Sequence, residues 1–191
     1  LKKLQGESWF GLGDRDLATH LLRGEMLRQG DSLSKVTETL CARLGIAPTL
    51  VPMTDARGAT IVHTREGEPL AFQHYFVRDR CAPVVTGFEF QGIEQAAPSP
   101  YFLAGLQEPT LEAIIICPSN PFVSVDPVLA VPGVIAAMKA SRAPAIAVSP
   151  IVGGQAITGP AAKMMAELGR PQSALAAAQS YQGRTDGCVI D

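Results

Sequence analysis

Residues 149–169 combine residue types that can bind an anion. They follow residues 145–148, an apolar and partly β-branched run of buried-strand length, and they contain Gly153-Gly154 ahead of a predicted helix. Backbone N–H groups and the positive end of a helix dipole at such a junction favour a phosphate or a carboxylate. Lys163, in the first predicted helical turn, either reaches a phosphate or is simply solvated. Glycines that only permit tight packing would give the same pattern, since it matches no standard nucleotide-binding motif.

A second polar cluster lies near the start of the chain. The sequence predicts a helix that begins near Asp14, with Arg15 at the helix mouth. Asp16 and His20 are four residues apart and therefore lie on one face of that helix. The cluster can bind the polar groups of a ligand. The structural alternative is an N-cap at Asp14 with an ordinary surface Asp–His pair.

A third candidate is the loop at residues 118–127, which is dense in Pro, Ser and Asn and contains Ser119 and Asn120. It follows residues 111–117, a predicted buried strand, and loops at the carboxyl ends of strands often carry binding residues. This loop and Gly153-Gly154 leave successive strands in the same direction. We therefore expect them side by side at one edge of the sheet.

The elements that position these residues alternate as strand, loop and helix from residue 111 onward. That order predicts an α/β fold, a doubly wound, Rossmann-like parallel sheet. Before it, residues 31–44 form a predicted helix capped by Asp31 or Ser32 and ended by Gly45. We expect one domain over residues 1–191, incomplete at both ends.

Residues 50–95 have a different pattern, rich in β-branched and aromatic residues with Gly and Pro between them. Three strands are predicted there, at residues 59–64, 70–77 and 86–90. This region is therefore a small β-rich excursion from the α/β domain.

Composition excludes several function classes. The 16 Lys and Arg residues nearly balance the 18 Asp and Glu residues, so no nucleic-acid partner and no membrane surface is indicated. No apolar run is long enough to cross a bilayer, and a reduced, cytoplasmic protein is expected. Neither a zinc site nor a disulfide framework is predicted from the four scattered cysteines, Cys41, Cys81, Cys117 and Cys188.

Five segments in this order resemble the 2-phospho-L-lactate transferase family, the CofD-like proteins of coenzyme F420 biosynthesis. Together they are far more specific than any short motif. The family's amino-terminal segment, with its Gly-rich first βα turn and a downstream acidic motif, is not in the sequence, nor is its carboxyl-terminal end. The matching segments are residues 9–20, 50–55, 72–78, 117–133 and 149–169.

The resemblance implies a phosphotransferase reaction. The ribityl hydroxyl of the deazaflavin FO attacks the phosphorus of a guanosine diphosphate diester, and GMP leaves as (dehydro) coenzyme F420-0 forms. The transferred group is 2-phospholactyl, phosphoenolpyruvyl or 3-phosphoglyceryl. Mg²⁺, Arg or Lys and backbone N–H groups would stabilise the charge on phosphorus. A homodimer is left open.

The resemblance also assigns the first cluster to the acceptor. Asp14, Arg15, Asp16 and His20 match the family's Gly-Asp-Arg-Asp segment, which implies FO binding there. Asp16 and His20 are then the available candidates for a general base, although a base from the absent segment fits equally well.

The other two loops are assigned to the donor. Ser119 and Asn120 match the Ser-Asn-Pro loop at the guanosine diphosphate part, and Gly153-Gly154 match the second loop. The metal ligands are not identified. Two other classes fit the same fold, a nicotinamide- or flavin-dependent oxidoreductase and a non-catalytic nucleotide-binding protein.

Overall fold

The computed structural model describes residues 7–156 and 159–191 of the chain. Within these ranges the helices are α1 (Asp14–Arg28), α2 (Leu33–Leu44), α3 (Pro100–Gln107), α4 (Asp126–Leu129), α5 (Val134–Ala140), α6 (Ala161–Glu167) and α7 (Ala174–Gln179). The strands are β1 (Ala59–Thr64), β2 (Leu70–Ala71), β3 (Val85–Gln91), β4 (Ile114–Ile116), β5 (Ala145–Val148), β6 (Ile151–Val152), β7 (Gln155–Ala156) and β8 (Gly187–Val189). Two five-residue π-helical turns cover His74–Arg78 and Pro121–Val125.

Strands β4, β5 and β8 form a parallel sheet in that order. Ala145 and Ala147 of β5 are buried, and they share a hydrophobic core with Val134 and Met138 of α5 and with Tyr181. The α/β fold class is therefore confirmed. Small alanine side chains on β5 suit the close approach of helices to the sheet.

The second face of this sheet is less covered than expected. Ile115 of β4 is 54% exposed and Val189 of β8 is 55% exposed, and in the described part of the chain no helix packs over them. The prediction of a buried strand at residues 111–117 is thus wrong in two respects. The strand is shorter, Ile114–Ile116, and only alternate side chains face the core.

The β-rich region forms an antiparallel sheet in the order β2, β1, β3, with Val62 opposite Phe88. Val62 and Val85 are fully buried together with Met164 of α6 and Ala177 of α7. The sheet therefore packs directly on the helices that follow the Gly-Gly segment, and it helps to position them.

The strand predicted at residues 70–77 is wrong beyond Ala71. The chain turns into the π-helical turn His74–Arg78, where the N–H of Asp79 donates to the carbonyl of His74 over 2.8 Å. This turn places Tyr75, which is fully buried, in the core and stacks Phe76 on Phe72. Aromatic residues in alternation fit a strand equally well, so local pattern does not separate the two structures.

Helix α2 has the caps that were predicted at both of its ends. The Ser32 hydroxyl accepts from the N–H of Lys35 over 3.2 Å, and Gly45 at φ 68° forms the left-handed C-cap. Helix α1 begins at Asp14 as predicted, and its apolar side chains Leu17 and Leu21 are 49% and 63% exposed.

In the described ranges no single helix is long and apolar enough to cross a membrane; one bent pair, Pro121–Leu129 with Val134–Ala140, meets the length and composition test only when combined.

Candidate functional site

The carboxyl ends of β4 and β5 lie next to each other in the parallel sheet. Ser119 follows β4 by three residues, and Ser149 directly follows β5. The prediction that the two loops leave the same edge of the sheet is therefore confirmed. In open parallel sheets this edge is where ligands bind.

Asn120 fixes the first loop at this edge. Its Oδ1 atom accepts from the N–H of Phe122 over 3.0 Å and caps the π-helical turn Pro121–Val125. Its Nδ2 atom donates to the sulfur of Met164 in α6 over 3.1 Å. Both ends of the amide are therefore used within the protein, so Asn120 positions the loop in this state.

Ser119 is half-buried beside Asn120. Its hydroxyl forms no hydrogen bond with any residue that the structure describes. A hydroxyl held next to a rigid cap can donate to a phosphate oxygen without first breaking a contact in the protein. Of the two residues, Ser119 is therefore better placed to contact a ligand directly.

Gly153 and Gly154 lie in a tighter turn than expected. They connect β6 to β7 in a two-residue antiparallel hairpin, with φ of 56° and 76°, values of a type I′ turn that glycine adopts without strain. The chain therefore does not pass straight from β5 into a helix, and α6 starts after the hairpin. Residues 157–158 of the predicted loop lie outside the described ranges.

The hairpin still shows an anion contact. The N–H of Gly153 donates to the carboxylate of Asp191 over 2.7 Å. Asp191 follows β8, the third parallel strand, so its carboxylate lies at the same edge. Sequence reasoning missed Asp191, although its position just after a predicted strand was the available signal.

Lys163 contacts protein groups in this structure. Its ammonium donates to the carbonyl of Pro83 over 3.0 Å and pairs with Glu167. Glu167 in turn accepts from the N–H of Val85 over 3.0 Å. These bonds attach α6 to the start of β3, and a role for Lys163 at a phosphate stays a prediction.

The acceptor candidates Asp14, Arg15, Asp16 and His20 are all exposed on the first turns of α1. The N–H of Arg15 donates to the carboxylate of Asp14 over 2.9 Å. Among the described residues the Arg15 guanidinium forms no ion pair. The cluster is open to a ligand, and its role as acceptor site or general base stays a prediction.

One contact joins this part of the chain to the β-rich sheet. The ring of Trp9 meets the ring of His74 edge to face, with centroids 5.1 Å apart. The segments at residues 9–20 and 72–78 are thus neighbours in space. Among the described residues no hydrogen bond, ion pair or aromatic contact joins the α1 cluster to Ser119 or to the Gly153 hairpin.

The turn after His74–Arg78 is strained. Arg80 and Cys81 have φ of 51° and 58°, in the left-handed region that costs about 1–2 kcal/mol for each non-glycine residue. The N–H of Cys81 donates to the carbonyl of Tyr75 over 2.9 Å and holds the turn. Burial raises the pKa of the Cys81 thiol and of the Tyr75 hydroxyl. Nothing in the sequence pattern indicates this strain.

Metal ligands are sparse in the described ranges. No group of three or more His, Cys, Asp and Glu side chains there lies close enough together to hold an ion. Asp191 at the sheet edge is a single carboxylate, and Mg²⁺ usually takes one or two protein carboxylates plus phosphate oxygens and water. These residues alone therefore do not form a resident metal site.

A parallel sheet with two loops at its carboxyl edge defines an α/β protein whose loops lie where open parallel sheets bind ligands. The chain matches the family model described as 2-phospho-L-lactate transferase CofD over residues 3–191. It belongs to that family.

Two relatives illustrate the match. The chain is 41% identical over 190 residues to a phosphoenolpyruvate transferase of Kitasatospora aureofaciens and 42% identical to one of Streptomyces coelicolor. Each alignment covers 97% of this chain but only 59% of the relative. The chain thus spans about three fifths of the length of these proteins.

A solved structure shares the fold. A UPF0052 family member from Bacillus halodurans superposes with a TM-score of 0.56 at 18% identity, covering 77% of this chain and 46% of that protein. At this identity the likeness concerns the fold alone.

Proposed function

We propose that the full-length protein transfers a phospholactyl-type group from a guanosine diphosphate diester to the deazaflavin FO and releases GMP. The observation that carries this is the placement of the Ser119 loop and the Gly153 hairpin at one edge of the parallel sheet. Of the three possible groups, phosphoenolpyruvyl is our first candidate, because that is the transferase activity in the names of the relatives.

The chemistry requires one bond to form and one to break. The ribityl hydroxyl oxygen of FO bonds to the phosphorus that carries the transferred group, and the bond from that phosphorus to the bridging oxygen breaks. GMP leaves with that oxygen, and the hydroxyl proton passes to a base, for which Asp16 and His20 are the candidates. Such transfers depend mainly on positioning and on charge stabilisation.

Each described group at the edge has a role in this proposal. The Ser119 hydroxyl and the backbone N–H groups of the hairpin donate to phosphate oxygens. Asn120 holds the first loop against α6. Asp191 now accepts from the N–H of Gly153, and a phosphate of the donor would take over that N–H. The Asp14–Arg15–Asp16 segment of α1 contacts the acceptor.

A divalent cation is expected because a diphosphate carries more negative charge than backbone dipoles alone compensate. Mg²⁺ would be held mainly by the phosphate oxygens of the donor. FO as acceptor and a cytoplasmic location are likewise predictions. Family membership argues against the oxidoreductase alternative.

Calorimetry of the full-length protein with GDP tests the donor site. We expect binding that becomes at least about tenfold tighter when Mg²⁺ is added, since a partly buried charge contact is worth 1.4 kcal/mol or more. Absence of GDP binding both with and without Mg²⁺ would overturn the proposal.

A further inference from the structure

A cavity of about 260 Å³ lies between α2, residues 46–52 and the first turn of α3. Of the described residues that line it, none belongs to the sheet edge or to the polar cluster on α1 that the proposed function uses. An engineered protein cavity of about 150 Å³ binds benzene. The cavity beside α2 therefore has room for a substituted aromatic ring.

One face of α2 forms a wall of this cavity. Ser34, Glu38 and Cys41 all line it, and their spacing of four and then three residues places them along the same side of the helix. Leu50 and Pro52, from the segment that follows α2, add apolar surface. The cavity is thus largely apolar, with a hydroxyl, a carboxylate and a thiol on one helix.

Two hydrogen bonds hold the walls of the cavity in place. The backbone N–H of Ser34 donates to the carboxylate of Asp55 over 2.6 Å, which ties α2 to the segment after residue 52. The Ser99 hydroxyl donates to the carbonyl of Pro52 over 2.7 Å, which ties the same segment to the start of α3. Because these bonds fix the walls before a ligand arrives, binding removes little freedom from the protein.

The side-chain hydroxyl of Ser34 lacks a partner. Ser34 is only 4% exposed, and its hydroxyl forms no hydrogen bond with any residue that the structure describes. Most buried polar groups in folded proteins are hydrogen-bonded, because an unpaired one lowers stability. A ligand that ends in a hydroxyl would supply the missing partner, since a hydroxyl both donates and accepts.

The charge and the aromatic residue at the cavity narrow the class of ligand. Among the described lining residues Glu38 is the only charged one, and its carboxylate is paired with Lys35 over 2.8 Å. A second carboxylate beside Glu38 would be repelled and would lose hydration in an apolar cavity. Tyr101 also lines the cavity and is 58% exposed, so its ring is free to contact another ring. These features favour an uncharged aromatic ligand.

We infer that this cavity binds a small, uncharged aromatic alcohol. The ring of the ligand packs against Leu50, Pro52 and Tyr101, and its hydroxyl forms a hydrogen bond with the hydroxyl of Ser34. The site is independent of the proposed transfer reaction, because it shares no described residue with the loops or the α1 cluster that would bind donor and acceptor.

Three probes of similar size test the class of ligand. p-Cresol has the hydroxyl, p-xylene has a methyl group in its place, and 4-methylbenzoate has a negative charge. Alkylation of Cys41 by iodoacetamide reports occupancy, because Cys41 lines the cavity, and the exposed Cys117 is the internal control. The rates at both cysteines are followed by peptide mass spectrometry in the full-length protein. p-Cresol should slow alkylation of Cys41 alone, and the concentration dependence gives its Kd.

Ser34→Ala tests the hydrogen bond. The variant should fold, because the hydroxyl that it removes has no partner and the N–H bond to Asp55 is kept. The affinity for p-cresol relative to p-xylene should fall about tenfold from its value in the parent, because p-xylene never used the hydroxyl. Ser180→Ala, after α7 and outside the cavity, is the matched control and should leave both affinities unchanged.

Ala42→Trp tests the location of the site. Ala42 is exposed on α2 and lines the cavity, so a larger side chain is tolerated there and fills the space that the ligand needs. In this variant p-cresol should no longer change the rate at Cys41. In the parent 4-methylbenzoate should bind at least about tenfold more weakly than p-cresol.

Three results would overturn the inference. The first is an alkylation rate at Cys41 that is the same with and without p-cresol. The second is an equal preference for p-cresol over p-xylene in Ser34→Ala and in the parent, which would show that Ser34 is not the partner. The third is tighter binding of 4-methylbenzoate than of p-cresol, which would assign the cavity to an anion. None of these measurements depends on FO or on a guanosine donor, so failure of the proposed reaction would leave them unchanged.

Discussion

The side-chain amide of Asn120 donates to the sulfur of Met164 over 3.1 Å, and this bond ties the loop after β4 to helix α6. Met164 is fully buried in the core that α6 shares with the β-rich sheet. The position of Ser119 therefore depends on the packing of the β-rich sheet. A rigid loop at this edge lowers the entropy that a bound phosphate would have to remove.

Asn120→Ala should lower the free energy of unfolding by about 1–2 kcal/mol, because the π-helical turn loses its cap and α6 loses the amide contact. Asn120→Asp keeps the capping oxygen, so it should lower the free energy of unfolding by less than Asn120→Ala does. Denaturant unfolding of both variants measures this. Equal stability of Asn120→Ala and the parent would show that the cap contributes nothing.

Lys163→Met keeps the apolar stem but removes the ammonium that binds Pro83 and Glu167. We expect a loss of about 1 kcal/mol in the free energy of unfolding, a modest value since the Lys163 side chain is 36% exposed. Lys139→Met, at an exposed position on α5, is the matched control. Unchanged stability combined with a large fall in kcat/KM would instead assign Lys163 to a phosphate.

Arg15→Ala should leave the melting temperature nearly unchanged, because the Arg15 side chain is exposed and its guanidinium forms no ion pair with a described residue. If Arg15 contacts FO through charge-assisted hydrogen bonds, the KM for FO should rise about ten- to a hundredfold. Arg15→Lys should recover only part of the affinity for FO, since an ammonium cannot form the two parallel hydrogen bonds of a guanidinium. Parent-like turnover of FO by Arg15→Ala would place the acceptor elsewhere.

The raised pKa of the Tyr181 hydroxyl predicts that the folded protein loses stability at alkaline pH. Burial, with the nearby Asp126 carboxylate, raises its pKa from 10.0 to about 12. The folded state thus keeps a proton that the unfolded state releases, and stability is lost as pH rises from about 10 to 12, by about 2 kcal/mol. Denaturant unfolding of the parent and of Tyr181→Phe across this pH range measures the difference in their free energies of unfolding.

At neutral pH the same substitution should cost little. The Tyr181 hydroxyl is buried and has no hydrogen-bond partner among the described residues, so its removal leaves no orphaned group and should change the free energy of unfolding by less than about 1 kcal/mol. If Tyr181→Phe instead loses more stability than that, or keeps the parent's alkaline slope, the hydroxyl is partnered or another group titrates.

Sequence predicted the features that local chemistry determines. The β5 run of apolar residues, the Ser32 cap and the Gly45 stop each form where the residue types favour them. The shared edge of the two loops followed from parallel strand order. The Gly153-Gly154 pair also favours a hairpin, since two glycines between short apolar runs are typical of a type I′ turn.

The features that the sequence did not predict depend on tertiary packing. Tyr75 is drawn into the core, and that burial forms a π-helical turn where residues 70–77 would otherwise extend as a strand. The left-handed Arg80 follows from the same turn and has no signal of its own. Asp191 reaches Gly153 only because β8 pairs with β5 in parallel.

The most direct test is incubation of the full-length protein with FO, Mg²⁺ and each candidate guanosine diphosphate diester, followed by mass analysis. We expect GMP and a phosphodiester of FO in equal amounts, with the phosphoenolpyruvyl donor used best. GMP without the FO phosphodiester would show hydrolysis rather than transfer. No GMP from any of the three donors would contradict the assignment of a guanosine donor to this protein.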